Sequence, residues 1–173
     1  LRPNSAEPGP IGENGTTTTP TVQTYTNSTY GITFQYPDTY VLTERVEDGS
    51  AERVHHSIVL MDKDDAANIP QGGEGPPTIN VDIFQNDLDN KTVENWIKNS
   101  SVSNFKLSPD DMLTPVTVGG TSALSYVWDG LYRGESTVLE HKSNIVMFSV
   151  TYFERTDQIA QDFDQLLATA AFN

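Results

Sequence analysis

Residues 30–37, which read Tyr-Gly-Ile-Thr-Phe-Gln-Tyr-Pro, decide how the first part of this chain folds. Within this stretch Ile32, Phe34 and Tyr36 alternate with polar residues, and the alternation stops at a proline. Successive side chains of a strand point to opposite faces, so the pattern predicts a β-strand with one buried face. The pair Pro37-Asp38 then predicts a turn into the next strand.

The stretch before this strand has a different composition. Residues 1–24 contain four prolines and the run from Thr16 to Thr19, with few apolar side chains. Such a segment buries too little surface to offset the entropy of ordering it, which predicts a flexible Thr/Pro-rich tether. A frayed terminus without a role is the alternative. The folded part is expected to be a single domain over residues 25–173.

The rest of the chain alternates in the same way. Alternation and turn signals predict further strands at residues 40–43, 53–62, 78–84, 112–118, 121–128, 136–142 and 144–153, with a loop over 62–77. One helix is expected to begin after Thr92, and a second to run from about Thr156 to Ala171 with Phe163 and Leu167 buried. This order predicts an α+β fold with a largely antiparallel central sheet and helices packed on it.

The charge of the chain excludes some classes of partner. The formal net charge is -14, so the surface repels nucleic acid. The chain has no cysteine, which excludes disulfides and thiolate chemistry. No run approaches the roughly 20 apolar residues of a transmembrane helix. A signal segment and a lipid anchor upstream of residue 1 stay open, and a monomer is expected.

No motif predicts catalysis, a metal site or a cofactor. The acidic run from Asp62 to Asp65 lacks the glycine and glutamate that a calcium loop requires at its sixth and twelfth positions, which favours a solvated turn. His55 and His56 are neighbours in a predicted strand, so their side chains point to opposite faces and cannot share a metal from within it. The chain contains no nucleophile elbow, zinc-protease motif or phosphate loop.

Residues 126–136 are the best candidate for a binding site. Trp128, Tyr132 and Arg133 lie close to Asp129-Gly130, in what is predicted to be a loop between strands. Aromatic and arginine side chains on a loop are typical of recognition hot spots. In the alternative, Trp128 ends its strand in the core and Tyr132 covers the end of a sheet.

The segments quoted above resemble a known family. The opening strand with its bend, the glycine pair before residues 121–128, the strand at 144–153 and the final helix together resemble the PsbP-like α/β/α sandwich. That family includes the extrinsic PsbP proteins of photosystem II, a nuclear-import factor that binds the GTPase Ran, and many bacterial envelope lipoproteins and secreted domains. The resemblance covers residues 25–173 and implies no catalytic, metal or cofactor residues.

Two functions remain open. The first is a non-enzymatic bacterial domain that is secreted or tethered to the cell envelope, as the resemblance implies, and that binds or assists another protein there. The alternative is a hydrolase-type enzyme whose site is assembled from dispersed residues. A deep pocket with converging polar groups would favour the enzyme, and an exposed aromatic loop would favour the binding domain.

Overall fold

The structure is a computed structural model that describes residues 21–49 and 53–173. Its strands are β1 (Val22–Asn27), β2 (Ile32–Pro37), β3 (Tyr40–Gly49), β4 (Arg53–Asp62), β5 (Ile79–Gln85), β6 (Thr114–Val118), β7 (Thr121–Asp129), β8 (Arg133–His141), β9 (Asn144–Tyr152) and β10 (Ala171–Phe172). Its α-helices are α1 (Lys63–Ala67), α2 (Val93–Asn99) and α3 (Gln158–Thr169), and a 3₁₀ turn spans Phe105–Leu107.

The strands form two antiparallel sheets, which confirms the predicted α+β class. The large sheet has the order β3-β4-β5-β9-β8-β7-β6, and the small sheet has the order β1-β2-β10. The large sheet consists of two meanders, β3-β4-β5 and β6-β7-β8-β9, each built from strands that follow one another in sequence. The two meanders meet where β5 pairs with β9.

Most of the stretch at residues 30–37 forms β2. Ile32 and Phe34 are almost fully buried, at 1% and 0% exposure, and Tyr36 is half-buried, so the predicted inward face is confirmed. However, β2 belongs to the small sheet and not to the large one. It pairs with β1 on one side and with β10 on the other, and neither of these strands was predicted.

The start of the folded part differs from the expected boundary at residue 25. The paired backbone begins at Val22, and Gln23 and Thr24 lie opposite Tyr36 and Gln35 of β2. These three residues carry exposed side chains and only Val22 is apolar, so no apolar/polar alternation marks the strand in the sequence. Residues 1–20 lie outside the described residues, and the tether stays a prediction.

Each face of the large sheet is covered by its own hydrophobic core. The first core lies where α3 and the small sheet pack on one face, and its fully buried large residues include Phe34, Ile58, Leu60, Ile79, Ile83, Leu139, Phe148, Phe163 and Leu166. The second core lies where α2 and the 3₁₀ turn pack on the other face, and it contains Trp96, Ile97, Phe105, Tyr126, Trp128, Val138, Ile145 and Met147.

The end of the chain departs from the predicted helix at both ends. The carboxylate of Asp157, which takes the N-cap position expected for Thr156, accepts hydrogen bonds from the backbone N–H groups of Phe153 and Glu154 at 3.0 and 2.9 Å. At the other end Ala171–Phe172 forms β10 instead of a last helical turn. The backbone at Ala170 lies close against Gly119. A side chain at residue 119 would prevent this contact, because its Cβ would lie 2.6 Å from the carbonyl oxygen of Ala170.

The acidic run at residues 62–65 begins a short helix inside the predicted loop. Asp62 is the N-cap of α1, and its side chain accepts a hydrogen bond from the backbone N–H of Asp64 at 2.8 Å. Asp64 and Asp65 occupy the first turn, where negative charge interacts favourably with the helix dipole. The run therefore has a capping role.

No helix in the described part of the chain has the length and apolar character needed to cross a bilayer.

Buried tyrosines predict how stability responds to alkaline pH. Burial raises the pKa of Tyr25 and of Tyr126 to about 12. Tyrosine ionises near about 10 in an unfolded chain, so between these values unfolding releases protons. The neutral phenols therefore make their full contribution to the free energy of unfolding below about pH 10. This contribution is lost as the pH rises through about 12.

We expect a phenolate absorbance titration to show late-ionising tyrosines whose transition coincides with the loss of circular dichroism. Tyr126→Phe should remove one late phenol from the titration without shifting the others. Ionisation of all tyrosines together near about pH 10, with the fold retained, would contradict this reasoning.

Candidate functional site

Trp128 lies in the protein interior and is removed from the candidate binding set. It is the last inward side chain of β7, it is only 8% exposed, and it belongs to the second core. Its indole Nε1–H donates a hydrogen bond to Oγ of Ser136 at 3.0 Å. Leu124, Tyr126 and Trp128 share one strand face by alternation, and this signal was present in the sequence.

Gly134 lies directly opposite Trp128 in the register of β7 and β8. The indole lies over this glycine so closely that a Cβ at residue 134 would fall 2.2 Å from Cζ2 of the ring. Gly134 falls between the strands predicted at residues 121–128 and 136–142, in the predicted loop. In the structure it lies inside β8, where its missing side chain makes room for the tryptophan.

Tyr132 lies in the turn between β7 and β8 and is half-buried. Its hydroxyl donates a hydrogen bond to the carbonyl oxygen of Gly75 at 2.8 Å. Its ring makes an edge contact with Phe153, with centroids 5.1 Å apart and an interplanar angle of 80°. Tyr132 therefore connects the turn with the segment before β5 and with the end of β9.

Arg133 is exposed at the start of β8. Its Nη1 lies 3.1 Å from Oε2 of Glu154, and both side chains are more than half exposed, at 58% and 66%. An ion pair this accessible contributes little to stability. The guanidinium can therefore exchange Glu154 for another carboxylate at small cost.

Phe153 was not part of the predicted site. It follows Tyr152, which points inward at 4% exposure, so strand alternation directs Phe153 outward, where it is 63% exposed. Leu131 in the neighbouring turn is 71% exposed. We call Leu131, Tyr132, Arg133 and Phe153 the turn patch. Strand alternation at the end of β9 was the signal that would have found Phe153.

A network of charged and polar groups lies beside the turn patch. Nε of Arg155 lies 2.6 Å from Oε1 of Glu135, and its Nη2 bonds both carboxylate oxygens of Asp164 at 2.7 and 2.8 Å. The hydroxyl of Tyr152 donates to the same Glu135 oxygen at 2.9 Å. Burial and this carboxylate raise the pKa of Tyr152. Hydrogen bonding to Asp164 raises the pKa of Arg155. The network fixes the segment between β9 and α3.

The two histidines of β4 point to opposite faces, as predicted. Nε2 of His55 lies 2.8 Å from Oδ1 of Asp82, and the His55 ring stacks on Phe84 with centroids 4.3 Å apart. His56 is buried on the other face, where its Nε2 lies 2.9 Å from Oε2 of Glu44. Over residues 21–49 and 53–173, no three histidine or acidic side chains form a group that could hold a metal ion.

Comparison with solved structures identifies the fold. The solution structure of cyanobacterial PsbP (CyanoP) from Synechocystis sp. PCC 6803 matches 95% of this chain and 100% of that chain, with a TM-score of 0.57 and 15% sequence identity. A structure from Bacteroides thetaiotaomicron matches 87% of this chain and 48% of that chain, with a TM-score of 0.45 and 12% identity. The chain has a PsbP-like fold, and the resemblance noted in its sequence is confirmed at the level of fold.

Comparison at the level of sequence is less informative. No family model matches the chain. Cytosolic sulfotransferase 1 of Danio rerio is 39% identical over 66 residues, which are 38% of this chain and 21% of that protein. The chain thus spans about a fifth of the length of the curated relative it matches. A match this short assigns no activity.

Proposed function

We propose that this chain is a non-enzymatic domain that binds or assists another protein through the turn patch. The observation that carries the proposal is the exposure of two large apolar side chains, Leu131 and Phe153, beside Tyr132 and Arg133. Apolar surface of this kind gains free energy when a partner removes it from water. Tyrosine and arginine are the residue types in which binding energy concentrates.

The partner is expected to offer a carboxylate and an apolar surface close together. Arg133 can bind a carboxylate through two parallel N–H groups, which a lysine cannot do. Phe153 and Leu131 supply the apolar contact. The ion-pair network around Arg155 holds the base of the patch in place, which lowers the entropy lost on binding.

The PsbP-like fold fits a non-enzymatic accessory role. We place the domain outside the bacterial cytoplasm, secreted or tethered to the envelope, with another envelope protein as its partner. Its net charge of -14 favours a monomer through self-repulsion. The hydrolase-type enzyme with a site assembled from dispersed residues stays the alternative prediction.

The proposal predicts that Tyr132→Ala combined with Arg133→Ala removes binding without unfolding the domain. Tyr132 loses one hydrogen bond and an edge contact with the exposed ring of Phe153, and Arg133 loses an exposed ion pair, so we expect the free energy of unfolding to fall by no more than about 2 kcal/mol. A photo-reactive amino acid at Leu131 should cross-link the partner in the source organism. The partner, once identified by mass spectrometry and purified, should bind the double variant at least about tenfold more weakly, because both variant positions are hot-spot residue types.

The control carries the same reactive group at Leu88, which is 59% exposed and lies outside the turn patch. Equal cross-linking of the same protein from Leu88 and Leu131 would reject the turn patch as the binding site. Unfolding of the double variant would show that Tyr132 and Arg133 hold the sheets together instead.

A further inference from the structure

A groove of about 540 Å³ opens next to the turn patch, and Phe153 belongs to both. The groove lies between the turn from β2 to β3, the start of α1, the end of the loop before β5 and the first turn of α3. Most of its wall is apolar and includes Pro37, Pro77, Phe153 and Ile159. An extended segment that crosses the turn patch can continue into this groove without leaving the surface.

Carboxylates line the rest of the groove. Asp62, Asp65, Asp157 and Asp162 contribute to its lining. Where these side chains accept hydrogen bonds, the donors are neutral: Asp62 and Asp157 accept backbone N–H groups as described above. Among residues 21–49 and 53–173, no lysine, arginine or histidine forms an ion pair with any of the four.

The innermost carboxylate of the groove is also the most buried. Asp162 on α3 is 8% exposed. Its Oδ2 accepts a hydrogen bond from the hydroxyl of Tyr40 at 2.7 Å, and its Oδ1 accepts one from Nε2 of Gln158 at 2.9 Å. Burial and this carboxylate raise the pKa of Tyr40 above its usual range, so the phenol remains a hydrogen-bond donor. Both oxygens of this carboxylate are thus hydrogen-bonded by neutral donors, so a positively charged group in the groove would still gain a favourable interaction with its charge.

Charge and shape together select the chemistry of the occupant. A lysine or arginine side chain has an apolar stem that fits against proline, isoleucine and phenylalanine, and a charged end that reaches a carboxylate. A cation close to the exposed face of Phe153 gains a further attraction to the aromatic ring. A small metal ion satisfies only the charge and leaves the apolar wall in contact with water.

We propose that the groove binds a basic, extended segment of a partner protein, with a lysine or arginine side chain directed at the carboxylates and apolar neighbours against Phe153 and the prolines. This inference rests on the proposed protein-binding function and identifies the kind of segment that the partner presents. The net charge of the domain attracts such a segment over a distance, so association is expected to slow as salt is added.

The test uses a fluorescein-labelled peptide of about ten residues, long enough to span the groove when extended, in which lysines alternate with leucine and serine. The control peptide has glutamine in place of every lysine. Fluorescence anisotropy should show saturable binding of the lysine peptide that weakens with salt, and no saturable binding of the control.

Two matched double variants locate the binding site. Asp65→Asn with Asp157→Asn removes two charges from the groove, and the asparagine at 157 retains an oxygen that can accept the hydrogen bonds of the aspartate. Asp64→Asn with Asp111→Asn removes the same charge from exposed positions that do not line the groove. The groove variant should bind the peptide about tenfold more weakly than the control variant, because two ion pairs in a partly enclosed site are lost.

Equal affinity of the two double variants for the lysine peptide would overturn the groove proposal, because the net charge of the domain alone would then explain the binding. Saturable calcium binding that displaces the peptide would overturn it in favour of a metal site. The proposed function is judged separately, by the effect of Tyr132→Ala with Arg133→Ala on the cross-linked partner. A partner that responds to those changes but not to Asp65→Asn with Asp157→Asn would retain the turn patch and reject the groove.

Discussion

Replacing Trp128 with alanine is expected to lower the free energy of unfolding by about 3–5 kcal/mol, as for other large buried side chains. The indole fills the second core and covers Gly134, and its N–H bonds Ser136, a buried hydroxyl at 1% exposure. The substitution therefore leaves a cavity and also removes the hydrogen-bond donor of a buried oxygen. Urea denaturation followed by circular dichroism measures the loss.

Gly134 allows a sharper form of this test. Gly134→Ala places a methyl group inside the indole and should destabilise the protein by about 1–3 kcal/mol or more. In the Trp128→Ala background the clash is absent, so the same change should cost little. The effect of Gly134→Ala on stability in the two backgrounds differs by the coupling free energy between Trp128 and residue 134, as measured by a double-mutant cycle.

Gly130→Ala is the matched control for Gly134→Ala. A Cβ at Gly130 would lie 3.5 Å from Cδ1 of Leu107, an ordinary contact distance, and stability should hardly change. Equal losses for the Gly130 and Gly134 variants would show that the indole does not lie over residue 134. A loss below about 1 kcal/mol for Trp128→Ala would return Trp128 to the candidate binding residues.

Phe163→Ala is expected to be the second most damaging substitution, with a loss of about 3–5 kcal/mol. Phe163 is 1% exposed and attaches α3 to the first core, together with Ala160 and Leu166. Sequence periodicity placed Leu167 on the same buried face, but Leu167 is only half-buried while Leu166 is fully buried.

Leu167→Ala therefore serves as the control for Phe163→Ala. It should cost clearly less than Phe163→Ala, since it removes less apolar area from the core. Urea denaturation measures both losses. The comparison is valid when the free energy of unfolding depends on urea concentration with the same slope in both variants. A larger loss at Leu167 than at Phe163 would mean that α3 is rotated about its axis relative to the structure described above.

Period-2 alternation was enough to predict most of the large sheet. Strands β4, β5, β7 and β9 alternate clearly because one or both of their faces pack in a core. The same signal fails for β1, whose side chains are mostly exposed, and for β10, which has only two residues. Such strands are held by backbone pairing to β2, and backbone groups are the same for every residue type.

The candidate site was predictable only in part. Tyr132 and Arg133 could be named because their residue types and the turn are visible in the sequence, and their role in binding stays a prediction. Trp128 was assigned to the binding loop because its residue type was weighed above its alternation with Leu124 and Tyr126, which places it on the face that packs in the second core. The groove could not be predicted, since residues 37–40, 62–65, 77 and 153–162 come together only through the packing of α3 and α1.

The seam between β5 and β9 has a consequence for the rate of folding. Within each meander the paired strands are close in sequence, so their hairpins can close quickly. Within the large sheet, the β5–β9 pair joins segments separated by α2, the 3₁₀ turn and three further strands, so closing that span costs more chain entropy than any other strand pair of this sheet. We therefore expect residues on both sides of this seam to belong to the folding nucleus, for example Val81 and Phe148, which lie opposite each other.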